Sequence, residues 1–381
     1  MVRKKILWLC SWYPSAVNPF NGDFIQRHAQ AAALYNDIYV IYIVKDYSGK
    51  LQTIKKKIVK DGGLTEHIVI YSVKKNGWSR LFSRYKWLFL FRQAIRRYMV
   101  ENKKPDIVHV QVPVSAGLLA VWLLSKYKLP FFVTEHYGIY NEKIGNDSYI
   151  NRSSLFKRIT KRIFEKAVRF ITVSDYLGKA VNQMVIKKDY HVIPNTVDTS
   201  LFFYKKKQEE AFRFIHVSNM IPLKNADGIL RAFDSFLRKG YHAELVMVGG
   251  ENYEAQKTAH LLGFLPGTVR FTGEVSYANV AAEMQKADCL LLFSNIENSP
   301  CVIGEALCCG LPVIASNVGG IPELVNEGNG ILVNAGDECN LTDAMVTITQ
   351  KDFDRQKIAE KAADKFSYEI IGKLHNQLYQ E

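Results

Sequence analysis

The chain has 381 residues, 48% of them hydrophobic and 23% charged, with a net charge of +13. That length suits two α/β domains, and so much apolar content supports two cores and excludes an intrinsically disordered chain. The charge is lopsided: residues 1–195 hold 33 Lys or Arg against 13 Asp or Glu, and residues 196–381 hold 17 against 24, so the two halves are expected to meet different partners.

In chain order, Arg3-Lys4-Lys5 before the apolar run 6–10 imitates a signal peptide. The run is too short, and Trp12-Tyr13-Pro14 ends it without a small-residue cleavage site. It reads as the first strand of a sheet. No stretch approaches the roughly 18 apolar residues of a membrane span, so a soluble or peripheral protein is expected. A Pro-, Asn- and Ser-rich loop over 11–22 leads to a helix over 24–34 and a strand over 38–44. This opening βαβ unit places Gly22 beside the start of the first helix. Residues 45–72 read as a basic, irregular stretch with a strand at 67–71.

A helix is predicted over 78–99, where Trp78, Leu81, Phe82, Tyr85, Leu88, Phe89, Ile95 and Met99 keep three- and four-residue spacing. Trp87, Leu90 and Phe91 fall off that stripe. Ten basic residues and one acid, Glu101, lie between Lys74 and Lys104. Two readings stand: a core-packing helix with a solvated basic face, or contact with an anionic membrane interface. Strands follow at 106–110 and 130–134, the second delivering Glu135-His136 at its carboxyl end. Residues 152–169 form a second basic helix, 170–174 a strand, and Ser174 or Asp175 caps the next helix. The turn Pro194-Asn195 marks the domain boundary.

The second half restarts the alternation, with strands at 212–217, 243–249, 269–272, 289–293, 312–316 and 330–333. Two doubly wound parallel sheets are the expected architecture. The six cysteines form no CxxC pair and have no His in metal spacing, which suits reduced thiols in a cytosolic protein. Asp352-Phe353-Asp354 offers an Asp-x-Asp without strand context and is read as coincidence.

The most informative stretch is 294–307, between the strands at 289 and 312. Ser299 is a good N-cap, Pro300 fits the first helical position, and Gly310 ends the helix. The loop lies beyond the carboxyl end of a strand, where open α/β sheets bind ligands. N–H groups at the helix start, near Cys301 and Val302, favour an anion. Glu297 and Glu305 flank that anion site.

The spacing Glu297 to Glu305, with Leu311-Pro312-Val313-Ile314-Ala315-Ser316 and Gly319-Gly320-Ile321-Pro322-Glu323, closely resembles family 4 of the retaining glycosyltransferases. So do Pro194-Asn195-Thr196-Val197-Asp198, Val217-Ser218-Asn219, Lys224-Asn225, Ala287-Asp288, and Ser11-Trp12-Tyr13-Pro14 with Gly22. The pieces occur in the family's order over nearly the whole chain. The resemblance implies a GT-B fold, two Rossmann-like domains facing each other across a cleft. Residues 1–195, with a returning helix at 366–381, would bind the acceptor, and 196–365 the nucleotide-sugar.

The resemblance also implies roles. Lys224 would neutralise the departing diphosphate with the amides near Cys301 and Val302, and Ser299 and Pro300 would line the donor site. Glu305 would accept hydrogen bonds from ribose hydroxyls, and Glu297 would face the sugar without becoming a covalent nucleophile. His136, counted with Lys224 and Glu297 as catalytic, would bind acceptor hydroxyls or the transferred sugar, and with Gly22 it would lie on the acceptor side. Asn219 stands where many relatives carry Arg; an amide donates a hydrogen bond but no charge, which shifts the load to Lys224. The expected function is transfer of a sugar to a glycan or lipid-linked acceptor in cell-surface polysaccharide synthesis. The site would be in the cytoplasm at the inner face of a membrane, with no metal or other cofactor and no nucleic acid. A non-catalytic nucleotide-sugar-binding partner subunit on the same fold is the alternative.

Overall fold

A computed structural model describes residues 2–73, 77–207, 211–250 and 253–381. The chain divides into two compact units, residues 1–196 with 368–381, and residues 197–367. In the first, the elements are β1 (Lys5–Cys10), α1 (Asp23–Ala33), β2 (Asp37–Asp46), β3 (Lys55–Asp61), β4 (Leu64–Ser72), α2 (Gly77–Asn102) and β5 (Ile107–Gln111). Then come α3 (Ala116–Tyr127), β6 (Phe131–Glu135), α4 (Ser154–Lys166), β7 (Arg169–Thr172), α5 (Asp175–Met184) and β8 (His191–Val192). Their eight strands run in the order β3-β4-β2-β1-β5-β6-β7-β8, parallel except for β3.

Strands buried on both faces need apolar residues at consecutive positions. Leu7 and Leu9 face a core closed by Phe91 and Ile95 of α2, Leu119 and Leu123 of α3, and Phe164 of α4. Ile6, Trp8 and Cys10 face the opposite core, closed by Ile25 and Ala29 of α1 and by Ile371, Leu378 and Tyr379 near the C-terminus.

Two expectations are corrected here. The stretch after residue 45 is not irregular: β3 pairs antiparallel with β4 although all seven of its residues, Lys-rich, are exposed. Charge on an edge strand discourages pairing with another chain. In α2 the expected stripe is split, with Leu88, Ile95 and Met99 packed on the core and the rest of its described residues facing out. Phe82, Tyr85 and Phe89 are 64%, 71% and 63% exposed, whereas the off-stripe Leu90 and Phe91 are buried with Ala94, Ile95 and Tyr98. The helix is apolar on most sides, and contact with the sheet decides which side is covered. Trp78 and Leu81 lie outside the residues whose side chains are described.

The second unit contains β9 (Arg213–Val217), α6 (Ala226–Arg238), β10 (Glu244–Val248), α7 (Tyr253–Leu262), β11 (Val269–Gly273) and α8 (Tyr277–Gln285). It continues with β12 (Cys289–Leu292), α9 (Cys301–Cys308), β13 (Val313–Ser316), β14 (Gly330–Val333), α10 (Glu338–Gln350) and α11 (Arg355–Phe366). The six parallel strands are ordered β11-β10-β9-β12-β13-β14. Strand order reverses between β9 and β12, and the crevice at such a reversal is where open α/β sheets bind ligands. The last helix, α12 (Tyr368–Gln380), belongs to the first unit and packs on α1. At the crossing, Val197 N–H donates to Phe366 C=O at 2.8 Å, and Val197 bridges Ser367.

Candidate functional site

The two loops at the β9/β12 reversal are held by different devices. After β9, the buried His216 donates Nδ1–H to the Leu291 carbonyl (2.9 Å). Its Nε2 therefore accepts from the Ser218 hydroxyl (2.7 Å), whose oxygen accepts Met220 N–H at 2.9 Å. Burial lowers the His216 pKa to about 4 and keeps the ring neutral, as this donor–acceptor pattern requires. Gly249 seals the loop from behind: a Cβ there would lie 1.7 Å from the Ser218 carbonyl oxygen, and its φ is +131°. Asn219 is exposed at the tip.

After β12, Asn295 N–H donates to the Leu223 carbonyl at 2.8 Å, joining the two loops. One turn of 3-10 helix, Pro222–Lys224, then turns Lys224 toward the second loop. Its Nζ lies 2.5 Å from Glu297 Oε1, with the Lys and Glu side chains 23% and 9% exposed. Glu297 is fixed through its backbone, because Gly319 (φ +57°) approaches so closely that a Cβ would sit 1.8 Å from the Glu297 carbonyl oxygen. No side chain bridges that gap; glycine is obligatory.

Helix α9 starts one residue later than expected. Pro300 is its cap residue, extended at φ −69° and ψ 121°, so Pro300 is not the first helical residue and Ser299 is not the cap. The first helical N–H groups are those of Cys301 and Val302, directed out along the axis as in any helix start. Glu305, one turn in, is 5% exposed and accepts from Tyr277 Oη at 2.9 Å. Lys224, Glu297, Glu305 and the start of α9 are thus carried by adjacent loops and one helix of the second unit. A cation, a helix N-terminus and two oriented carboxylates suit a ligand carrying both phosphates and hydroxyls.

Gly22 and His136 belong to the first unit. Gly22 (φ +73°) begins α1 against the Trp12–Tyr13 backbone, where a Cβ would be 2.9 Å from Trp12 C and Tyr13 N. Chain packing alone therefore requires glycine there. His136 follows β6, 9% exposed, with Nε2–H donated to Gln111 Oε1 at 3.0 Å and its ring against Phe24 and His28. Burial first, then the neighbouring His28 and His109, hold its pKa well below 6.5. It is a neutral imidazole. Buried beside it is a small histidine network: His375 Nε2 meets His28 Nδ1 at 3.1 Å, His28 Nε2 meets Asn195 Oδ1 at 3.3 Å, and His109 Nδ1 meets Tyr379 Oη at 2.6 Å.

Sequence reasoning missed Glu135. It is fully buried, and burial pushes its pKa up to about 7. It accepts from His136 N–H and Tyr137 N–H, each at 2.9 Å, and from Tyr140 Oη at 2.7 Å, shaping the turn that presents His136. Its only signal was its place beside His136 at a strand end. Asp354 caps α11 by accepting from Lys357 N–H at 3.0 Å, a structural role. Among the described residues no group of three or more His, Cys, Asp or Glu converges as metal ligands would.

Two family models together match residues 36–365: Glycosyltransferase Family 4 over residues 36–201, and Glycosyl transferases group 1 over residues 198–365. The chain is similar to N-acetyl-alpha-D-glucosaminyl L-malate synthase of Bacillus anthracis, 25% identical with 74% of this chain and 76% of that protein covered. It is 22% identical to the putative teichuronic acid biosynthesis glycosyltransferase TuaC of Bacillus subtilis, with 93% and 92% covered. The structure resembles Anabaena HepE in complex with UDP and glucose, with a TM-score of 0.72, 20% identity, and 99% and 100% of the two chains covered. That likeness extends to the fold.

Proposed function

Because the chain belongs to the family 4, group 1 glycosyltransferases, a retaining family that uses nucleotide-sugars, we propose that the site at the β9/β12 reversal binds the donor. The carrying observation is the 2.5 Å Lys224–Glu297 pair beside the start of α9. Lys224 and the first N–H groups of α9 stabilise negative charge as it grows on the leaving diphosphate. Glu305, held by Tyr277, accepts from the ribose diol. Glu297 orients sugar hydroxyls and offsets positive charge at the anomeric carbon, while the leaving phosphate takes the acceptor proton. Asn219 contributes at most a hydrogen bond. UDP is the first nucleotide to test, given the UDP-bound structural neighbour.

The acceptor is a glycan or a lipid-linked glycan in cell-surface polysaccharide synthesis, a reading supported by similarity to a teichuronic acid enzyme. The first unit carries the acceptor and rests on the inner face of a membrane. Phe82, Tyr85 and Phe89 project from α2 with Lys86, Arg96 and Arg97 around them, all exposed. Aromatic side chains flanked by cations suit an anionic interface. No described helix is long and apolar enough to cross a membrane.

Thermal-shift measurements with UDP-, GDP- and ADP-sugars test the donor site, since a bound donor stabilises the fold. One nucleotide should raise Tm in the wild type and much less in Lys224→Ala; no shift with any of them removes the donor assignment. Sedimentation with phosphatidylcholine vesicles, with and without phosphatidylglycerol, tests the membrane face. Equal, negligible binding to both removes it.

A further inference from the structure

Beside the carboxyl end of β2, between the loop that follows β1 and the β2–β3 connection, a cavity of ≈ 510 Å³ opens in the first unit. That volume falls in the range of small-molecule sites, and carboxyl strand ends are where such sheets take ligands. Its walls mix apolar and aromatic groups, Val17, Leu51, Ile70 and the half-exposed ring of Tyr47, with two ammonium groups, Lys50 and Lys55. Among the described residues neither of those lysine side chains makes a hydrogen bond or an ion pair. The one carboxylate in the lining, Asp46, is engaged chiefly by the loop: its Oδ1 accepts Ser48 N–H at 2.8 Å, and hydrogen bonds from Ser48, with a lesser contribution from the Lys50 charge, hold its pKa below the usual carboxylate value.

The cavity is also the end of a cationic ribbon. Lys55 opens β3, whose Lys56, Lys57 and Lys60 are all exposed. Lys56 Nζ donates to Gln93 of α2 at 3.2 Å, so the ribbon runs from the cavity to the aromatic and basic face of that helix. An edge strand needs some charge to stay unpaired. That need does not explain why Lys50, outside the strand, meets Lys55 in the lining of one cavity, neither of them in a salt bridge among the described residues.

We propose that this cavity is the acceptor subsite and that it selects an acceptor bearing a phosphate group. The phosphate lies between Lys50 and Lys55, and the adjoining sugar covers Tyr47. Lysine binds phosphate as a point charge, which suits two flexible side chains at a rim. The proposal rests on the glycosyltransferase reading, and it narrows the acceptor from any glycan to a phosphorylated one. The phosphate belongs either to a soluble sugar phosphate or to a lipid headgroup.

The test uses the full chain saturated with the nucleotide that stabilises it, so that the donor site is occupied. Glucose 1-phosphate, glucose and glucuronate are titrated by calorimetry, and sedimentation is run with phosphatidylcholine vesicles with and without polyprenyl phosphate. Glucose 1-phosphate or the phosphate-bearing vesicles should bind, and glucose should not. Lys50→Gln/Lys55→Gln should weaken that binding about tenfold, allowing for the exposure of both groups, and leave the nucleotide thermal shift unchanged. Binding of the soluble probe alone assigns a soluble acceptor, and binding of the vesicles alone a lipid-borne one. Absence of binding to both, glucuronate binding as tightly as glucose 1-phosphate, or an unaffected double variant overturns the proposal. A wild type with no thermal shift for any nucleotide-sugar fails at the donor reading instead.

Discussion

Acidification should unfold the first unit through its buried histidines. His28 is held at about 4 and His109 at about 3, against an ordinary 6.5, and burial is the first cause of both shifts. Depressed values mean that their stabilising contribution is complete above 6.5 and is lost as pH falls toward them. Each pH unit costs each ring about 1.4 kcal/mol, so the pair loses roughly 4 kcal/mol by pH 5 and 7 by pH 4. Glu135 acts in the opposite sense. Its pKa is raised to about 7, so its burial penalises the fold above 4.5, and acidification returns about 3 kcal/mol. The net loss is roughly 1 kcal/mol at pH 5 and 3 kcal/mol at pH 4, and His136 and His375, shifted in the same direction as His28, add to it. That is a large share of a typical domain's stability. All five tryptophans, Trp8, Trp12, Trp78, Trp87 and Trp122, lie in this unit, so their fluorescence follows it alone during urea unfolding. The midpoint should fall between pH 6 and 4, and less steeply in His109→Gln. A midpoint that holds or rises over that range refutes the reasoning.

Three further outcomes are expected. Lys224→Ala and Glu297→Ala should each lower kcat by about 10²–10³, and the double variant should fall little further because the two groups work as a pair; initial rates with the stabilising donor measure this. Gly319→Ala should weaken nucleotide binding in the thermal-shift assay, because its methyl would strike the Glu297 carbonyl and move the loop. Glu135→Gln should retain the turn, since an amide accepts the two N–H groups and donates to Tyr140, whereas Glu135→Ala should cost about 3 kcal/mol in urea unfolding by leaving buried donors unpaired.

Much of this architecture was legible because short apolar runs bounded by polar or turn residues, such as those at 6–10 and 289–292, suit strands covered on both faces, whereas the longer apolar run that opens α3 suits a buried helix. What was not legible depended on partners distant in sequence. The lysine-rich β3 lacks any apolar alternation and becomes a strand through its pairing with β4. In α2 apolar residues lie on and off the stripe alike, so spacing did not reveal that Phe91 meets the sheet while Phe89 faces out. Ser299-Pro300 carried a correct helix-start signal that was placed one residue early, since proline's fixed φ suits the cap and the first turn alike. The contact between Lys224 and Glu297 joins residues 73 positions apart, and only the β9/β12 adjacency brings their loops together. Glu135 looked like the last residue of a strand; nothing local reveals that two amides and a tyrosine converge on it.

The placement of α12 has a consequence for how the protein is made. This helix supplies Ile371, Leu378 and Tyr379 to the core around Trp8, and His375 to His28, yet it is synthesised after every residue of the second unit. Domains ordinarily fold in the order in which they are translated. Here the half that leaves the ribosome first waits for the last helix, with an apolar trough open in the meantime. A message cut short before residue 368 would yield a second unit complete in sequence attached to an unfinished first one, a natural client for chaperones and proteases.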